Sequence, residues 1–273
     1  MNLAFLSQSL QALRQPWPHA WPGLPRVWHA CLDQLGGAGA HSDRLTRLLA
    51  CGGDLAQRLE AHGAGLGAHE PAYHNRLHTA DTLVSLTVLL RKQRAIDGDG
   101  GHQLQVTEAL MLLAMLGHDA WHPGTRNRSP FELEAQSAAW VLALMQRHGL
   151  SRADQAQVKA MILATEPLHR VKQVCALGEP GFSLERAQCR AMMVCEADIL
   201  SSALPRFAPA MTQALAREWG RLNPQWGERL LTRQARHHFL QEMARFSTPA
   251  ATALGLPELV QRQLRRVGST QPA

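Results

Sequence analysis

Residues 110–124, LMLLAMLGHDAWHPG, decide how the rest of the chain is read. The first eight of them are apolar or small on every side, which in a helix means burial all round. The run then turns abruptly into His118-Asp119 and His122. A buried helix therefore ends by carrying polar groups into the interior. Imidazole and carboxylate both bind Zn, Mn or Fe, and neither is readily buried without a partner, so a metal site accounts for the pair. Helix caps and salt bridges use the same residue types and are the alternative.

A second polar constellation lies upstream in AYHNRLHTAD, residues 72–81, where Tyr73, the only tyrosine in the chain, directly precedes His74-Asn75. From Leu77 onward, Leu77, Ala80, Val84, Val88 and Arg91 follow helical spacing, which puts His78, Asp81, Thr82 and Ser85 on another face. That polar edge reads as the second half of a metal site, with Asp81 orienting His78; a solvent-facing stripe is the alternative. Downstream, a helix at about 131–148 carries Glu134 among Phe131, Leu133, Ala138, Val141 and Leu142, and another near 153–165 ends in ILATEPLH. A third, at about 184–202, places Asp198 within an apolar run, where a carboxylate needs a cation or hydrogen-bond donors.

The remaining periodic stretches predict helices at about 3–14, 42–62, 205–221, 226–246 and 256–266. No period-two alternation persists long enough for a sheet, so the fold class is all-α, a single multi-helix domain without repeats. Pro16, Pro18, Pro22 and Pro25, interleaved with Trp17, Trp21 and Trp28, mark residues 1–40 as an irregular arm packed on a domain at 41–266, with 267–273 a frayed tail.

With 273 residues, 45% hydrophobic and 18% charged, the chain is long enough to bury a large core. The formal charge of +6 favours anionic ligands, but no run of basic residues or basic-aromatic ladder points to nucleic acid. Cysteines at 31, 51, 175, 189 and 195 lack CxxC spacing and read as reduced thiols of a cytoplasmic protein. The start, MNLAFLSQSLQALRQPWP, lacks the charge and apolar core of a secretion signal, and no apolar segment is long enough to span a membrane. GAGLGAHEP has the wrong spacing for a phosphate-binding loop, and IDGDGG lacks a calcium-loop pattern.

Together, Tyr73-His74-Asn75 with His78, His118-Asp119 with His122-Pro123-Gly124 and Asn127, Ala164-Thr165, and Ala197-Asp198 resemble the HD-domain superfamily in its class I cyclic nucleotide phosphodiesterase form. The resemblance spans about residues 72–250. It implies that His78, His118, Asp119 and Asp198 hold a first metal, zinc, and that Asp119 bridges to a second, magnesium or manganese, with iron an alternative. It implies that His122, Glu134 and Thr165 hydrogen-bond waters of the second metal, and that His74 protonates the departing ribose oxygen. Tyr73, Asn75, Asn127 and Phe239 become substrate-contact candidates, although the helical spacing of Phe239 favours core packing over that role.

The chain departs from that family at Glu166, which follows Ala164-Thr165 where the family has aspartate, and at Gln136-Ser137, where it has two histidines. The family's Gln-x-x-Phe base pocket is missing from the C-terminal third; Gln234 and Gln241 offer amides only in another geometry. The implied function is hydrolysis of 3′,5′-cyclic nucleotides to 5′-monophosphates by metal-activated water, on a small-molecule phosphodiester or nucleotide. A nucleotidase or broader phosphoesterase is the alternative, and a di-iron oxygenase a more distant one.

Overall fold

The computed structural model describes residues 2–37, 42–98, 103–167 and 181–268. It is all-helical, and no strand occurs among the described residues. The elements are α1 (Leu3–Arg14), α2 (Leu24–Gln34), α3 (Asp43–Leu66), α4 (Arg76–Asp97), α5 (Val106–Gly117), α6 (Glu132–Arg147), α7 (Arg152–Ala164) and α8 (Ala187–Ala203). They continue as α9 (Ala208–Gly220), α10 (Pro224–Leu230), α11 (Arg233–His238), α12 (Pro249–Ala253) and α13 (Leu256–Gly268). Among the described residues no helix is long and apolar enough to cross a membrane.

Helix α5 is the axis of the molecule because it has no polar face: every residue from Glu108 to Gly117 is buried. It packs against α3, α4, α7 and α8, while α4 packs on α8 and α2, so α4, α5 and α8 touch one another pairwise. The one charge buried on α5, Glu108, accepts from Arg94 Nε at 2.6 Å. A capping box with Gln105 closes the start of the helix. Two glycines set how closely the layers approach. A Cβ on Gly52 of α3 would lie 2.1 Å from the Trp28 ring, and one on Gly117 would lie 2.4 Å from Val141 of α6.

Three expectations change. Residues 24–34 are a helix with proline in its first turn, which proline's fixed φ suits, and Trp28 is fully buried in the main core. That part of the expected irregular arm is therefore an ordinary core element. The continuous helix expected at 226–246 is instead α10, a break at Leu231–Thr232, α11 capped by Thr232, and a π-helical turn at Phe239–Met243. The Thr232 hydroxyl offers the α11 backbone an acceptor that restarts the helix, which hydrophobic spacing does not register. Helix α3 also runs four residues beyond its expected end at 62, to Leu66. The four described cysteines are buried and form no disulfide; Cys175, residues 38–41 at the expected arm boundary, and the end of the tail at 269–273 lie outside the described residues.

Candidate metal centre and acid–base pair

The N-terminus of α4 is set by Asn75, whose Oδ1 accepts from His78 N–H at 3.0 Å while its amide donates to the Ala72 carbonyl. This cap places His78 in the first turn, where α4 meets α5 and α8. His118 is the C-cap of α5 and Asp119 follows it; Asp198 projects from the middle of α8. The contact of these three helices thus gathers four side chains from three separate stretches of the chain, His78, the adjacent His118 and Asp119, and Asp198.

His118 Nε2 lies 3.1 Å from Asp119 Oδ2 and 3.4 Å from Asp198 Oδ1, and His78 Nε2 lies 3.4 Å from the same two oxygens. His118 Nδ1 donates to the Met115 carbonyl at 2.7 Å, which fixes the neutral ring with its lone pair on Nε2. That lone pair is buried, makes no hydrogen bond, and faces carboxylate oxygens that are themselves acceptors. Imidazole lone pairs and carboxylates this close need a proton or a cation between them. Two imidazoles and two carboxylates are a donor set that zinc, manganese or iron accepts.

The titration shifts express the same arrangement. Burial alone would lower the pKa of His78, but Asp119 and Asp198 outweigh it and raise it to about 9; His118 moves upward for the same reason. Burial would raise both carboxylates, yet the two histidines hold Asp119 and Asp198 well below the usual range. The site therefore keeps its carboxylates ionised and offers a proton or a metal the same place.

Beside it stands a second pair. His74 Nδ1 lies 2.5 Å from Glu218 Oε1 on α9, and the other oxygen of Glu218 accepts from the backbone N–H of Tyr73 at 2.8 Å and of His74 at 3.0 Å. Burial raises the Glu218 pKa, but His74 and the two backbone donors outweigh it and hold the carboxyl below its ordinary value. With Nδ1 tied to Glu218, His74 has Nε2 left for proton transfer. Its ring stacks on His122 at 3.7 Å between centroids and edges against Tyr73 at 4.8 Å.

His122 is held neutral, its pKa lowered to about 3 by burial first and by His74 next. Its Nδ1 accepts from Gly124 N–H at 3.1 Å, so Nε2 carries the proton and can donate. His74, Asp119 and His122 can together present ligand atoms within 4.8 Å of one another, a second grouping that shares Asp119 with the first. The turn between Asp119 and His122 holds Trp121 at φ 56°, a conformation a bulky side chain rarely adopts. Gly124, at φ 72°, sits where a Cβ would lie 3.3 Å from Glu218 Cγ, so both the backbone and the contact require glycine.

The other expected residues take varied places. Glu134 is buried beneath Asn127, whose amide nitrogen is 2.9 Å from Oε2; burial first, then Asp119 and Glu166, raise its pKa against that hydrogen bond. Thr165 is buried and caps α7, donating to the Ile162 carbonyl at 2.8 Å. Tyr73 Oη pairs with Ser202 Oγ at 3.0 Å. The amides of Asn75 and Asn127 both serve the protein itself, since Asn127 Oδ1 also accepts from Leu133 N–H at 2.8 Å. Asn75 thus caps α4, and Asn127 joins Glu134 to the start of α6. Phe239 packs against the core under the Arg236 guanidinium, 5.2 Å from its centroid, and none of the described contacts joins it to the His74–Asp198 cluster.

Asp81 is also corrected. Its carboxylate is bound by Arg14 of α1, and no hydrogen bond joins it to His78, whose Nδ1 is buried without a partner. A guanidinium offers a charged donor that outcompetes a neutral imidazole. Neither Arg14 nor Glu218 was singled out in the sequence. Glu218 could have been, since it lies seven residues after Met211 on the buried stripe of α9, where a carboxylate is out of place.

No protein-family model matches the chain, and no curated protein matches it either.

Proposed function

We propose that the chain is a metal-dependent phosphodiesterase that hydrolyses 3′,5′-cyclic nucleotides to 5′-nucleoside monophosphates. The observation that carries this reading is the His118 lone pair facing two carboxylates, with the His74–Glu218 pair on the adjoining turn. His78, His118, Asp119 and Asp198 would hold a first divalent ion, zinc, with Asp119 shared by a second, magnesium or manganese. Such ions supply Lewis acidity: they neutralise phosphate charge and acidify water. Asp119 and Asp198 contribute the negative charge that retains them, and the Met115 carbonyl keeps the His118 ring turned inward. His122 offers its Nε2–H to an oxygen in the site.

Water forms the new P–O bond and gives up a proton to solvent, while His74 gives its Nε2 proton to O3′ as the P–O3′ bond breaks and is then reprotonated from solvent. Glu218 holds the ring in place and balances its charge while the proton is there. Released oxygen leaves as an alcohol, so no covalent intermediate is needed.

Turnover of cyclic mononucleotides, cyclic dinucleotides and nucleoside monophosphates with added Mn, Mg or Zn tests this directly. The expected result is a 5′-monophosphate from at least one cyclic mononucleotide, abolished by a chelator and restored by metal. The missing Gln-x-x-Phe pair favours the second reading, a nucleotidase, which release of inorganic phosphate from monophosphates alone would support. Turnover of no phosphoester under any metal overturns both.

A further inference from the structure

We infer that Arg126, Trp219 and Trp226 form a nucleobase-binding subsite at the edge of this centre, an assignment that rests on the phosphodiesterase reading. The Arg126 guanidinium lies over both indoles, 4.8 Å from the Trp219 centroid and 4.9 Å from that of Trp226. Its neighbours in the same loop are engaged: Asn127 holds Glu134, and Arg128 is paired with Glu132. No carboxylate pairs with Arg126 among the described residues, so its N–H donors are uncommitted. The Trp219 indole Nε1 is buried and likewise has no acceptor.

The cluster is held against the centre through the backbone on both sides. Arg126 adjoins Asn127, and Trp219 directly follows Glu218, the residue that holds His74. The two tryptophans are fixed relative to each other because α9 and α10 pack backbone to backbone, a Cβ on Gly227 falling 2.5 Å from the Ala216 carbonyl oxygen. A cleft of about 640 Å³ opens beside them, lined by Arg126, Trp226, Pro123, Leu222 and the Arg128–Glu132 ion pair, so that Trp226 is the indole a base would meet there while Trp219 backs Arg126 from outside the cleft.

Indole faces bind planar heteroaromatic rings without regard to sequence, and a guanidinium fork recognises two adjacent acceptors, as on the O6/N7 edge of guanine. A base is therefore the occupant that uses both features; a lone phosphate would use the arginine and leave the indoles idle. The subsite would take over the role of the Gln-x-x-Phe pair that the C-terminal third lacks.

Calorimetric binding of 5′-GMP, 5′-AMP and ribose 5-phosphate to the zinc-loaded protein tests the assignment, with phosphodiester turnover followed in parallel. The wild type should bind at least one nucleotide about 5- to 100-fold more tightly than ribose 5-phosphate, the range expected of one stacked base. Arg126→Ala and Trp226→Ala should lose most of that preference while ribose 5-phosphate binding stays unchanged; Trp226→Phe, which keeps a ring, and Arg58→Ala, which removes a guanidinium outside the cleft, should retain it. Should Trp226→Ala lose its helical circular dichroism, Arg126→Gln carries the same comparison. A wild type that binds ribose 5-phosphate as tightly as the nucleotides, or variants that keep the full preference, would overturn the subsite. Turnover without base preference defeats this inference alone, whereas base preference without turnover defeats the phosphodiesterase reading and leaves the subsite standing.

Discussion

His118 has one ring nitrogen tied to its own helix and the other turned toward Asp119 and Asp198, so its geometry is already that of a ligand. Removing a carboxylate should be felt first in metal content. Asp119→Ala is expected to lose both bound metal and activity, read by elemental analysis of the purified protein; full occupancy in that variant would remove Asp119 from the shared position. His74→Ala should behave differently, keeping its metal while kcat falls by about 10² to 10⁴-fold, the usual contribution of a placed proton donor. With a nitrophenyl phosphodiester, whose leaving group departs without protonation, the loss should shrink. An equal loss on both substrates would sink the proton-donor role. Glu218→Gln keeps the shape but removes the charge beside His74, and a fall in kcat of about 10- to 100-fold at constant metal content is expected, as for other partners that orient a working imidazole.

At the level of the helix, the centre depends on how closely α5 approaches α6. Gly117, the last residue of α5, leaves room for Val141 and immediately precedes His118 and Asp119. Gly117→Ala would push an added methyl into Val141, and overpacking of this kind costs about 1–3 kcal/mol. Because the displaced segment carries two of the proposed ligands, thermal stability and metal affinity should fall together; an unchanged metal affinity with a lowered melting temperature would separate the packing from the site. The α4 cap makes a gentler test. Asn75→Ala removes the acceptor for His78 N–H and is expected to cost about 1 kcal/mol, visible in chemical denaturation.

Across the whole molecule, α1 is joined to the centre by one buried contact. Asp81 is fully buried on α4, three residues beyond His78, and its partner Arg14 is the last residue of α1. Burial raises the Asp81 pKa to about 7 even with Arg14 beside it. Arg14→Ala would leave an uncompensated buried carboxyl, and losing one partner of such a pair typically costs about 3–5 kcal/mol. Denaturant unfolding of that variant, compared with Arg14→Ala/Asp81→Asn, checks this: the double variant should recover part of the loss. A native-like midpoint in the single variant would mean that α1 adds little to the centre.

The all-helical class, the burial of α5 and the identity of the His and Asp groups were legible in the sequence because each is local. An apolar run without a polar face must be buried, and carboxylates and imidazoles within such runs must find a cation or a donor. What only the tertiary structure decided are the pairings between distant elements. Glu218 meets His74 across 144 residues and Arg14 meets Asp81 across 67, and neither distance leaves a period in the chain. Arg126 between two tryptophans of another helix pair is the same kind of contact. The cap made by Asn75 and the Asn127–Glu134 contact are likewise partnerships that folding supplies. Local chemistry names which groups need partners; packing chooses the partners, since desolvation leaves a buried polar atom only the neighbours that the helices bring to it.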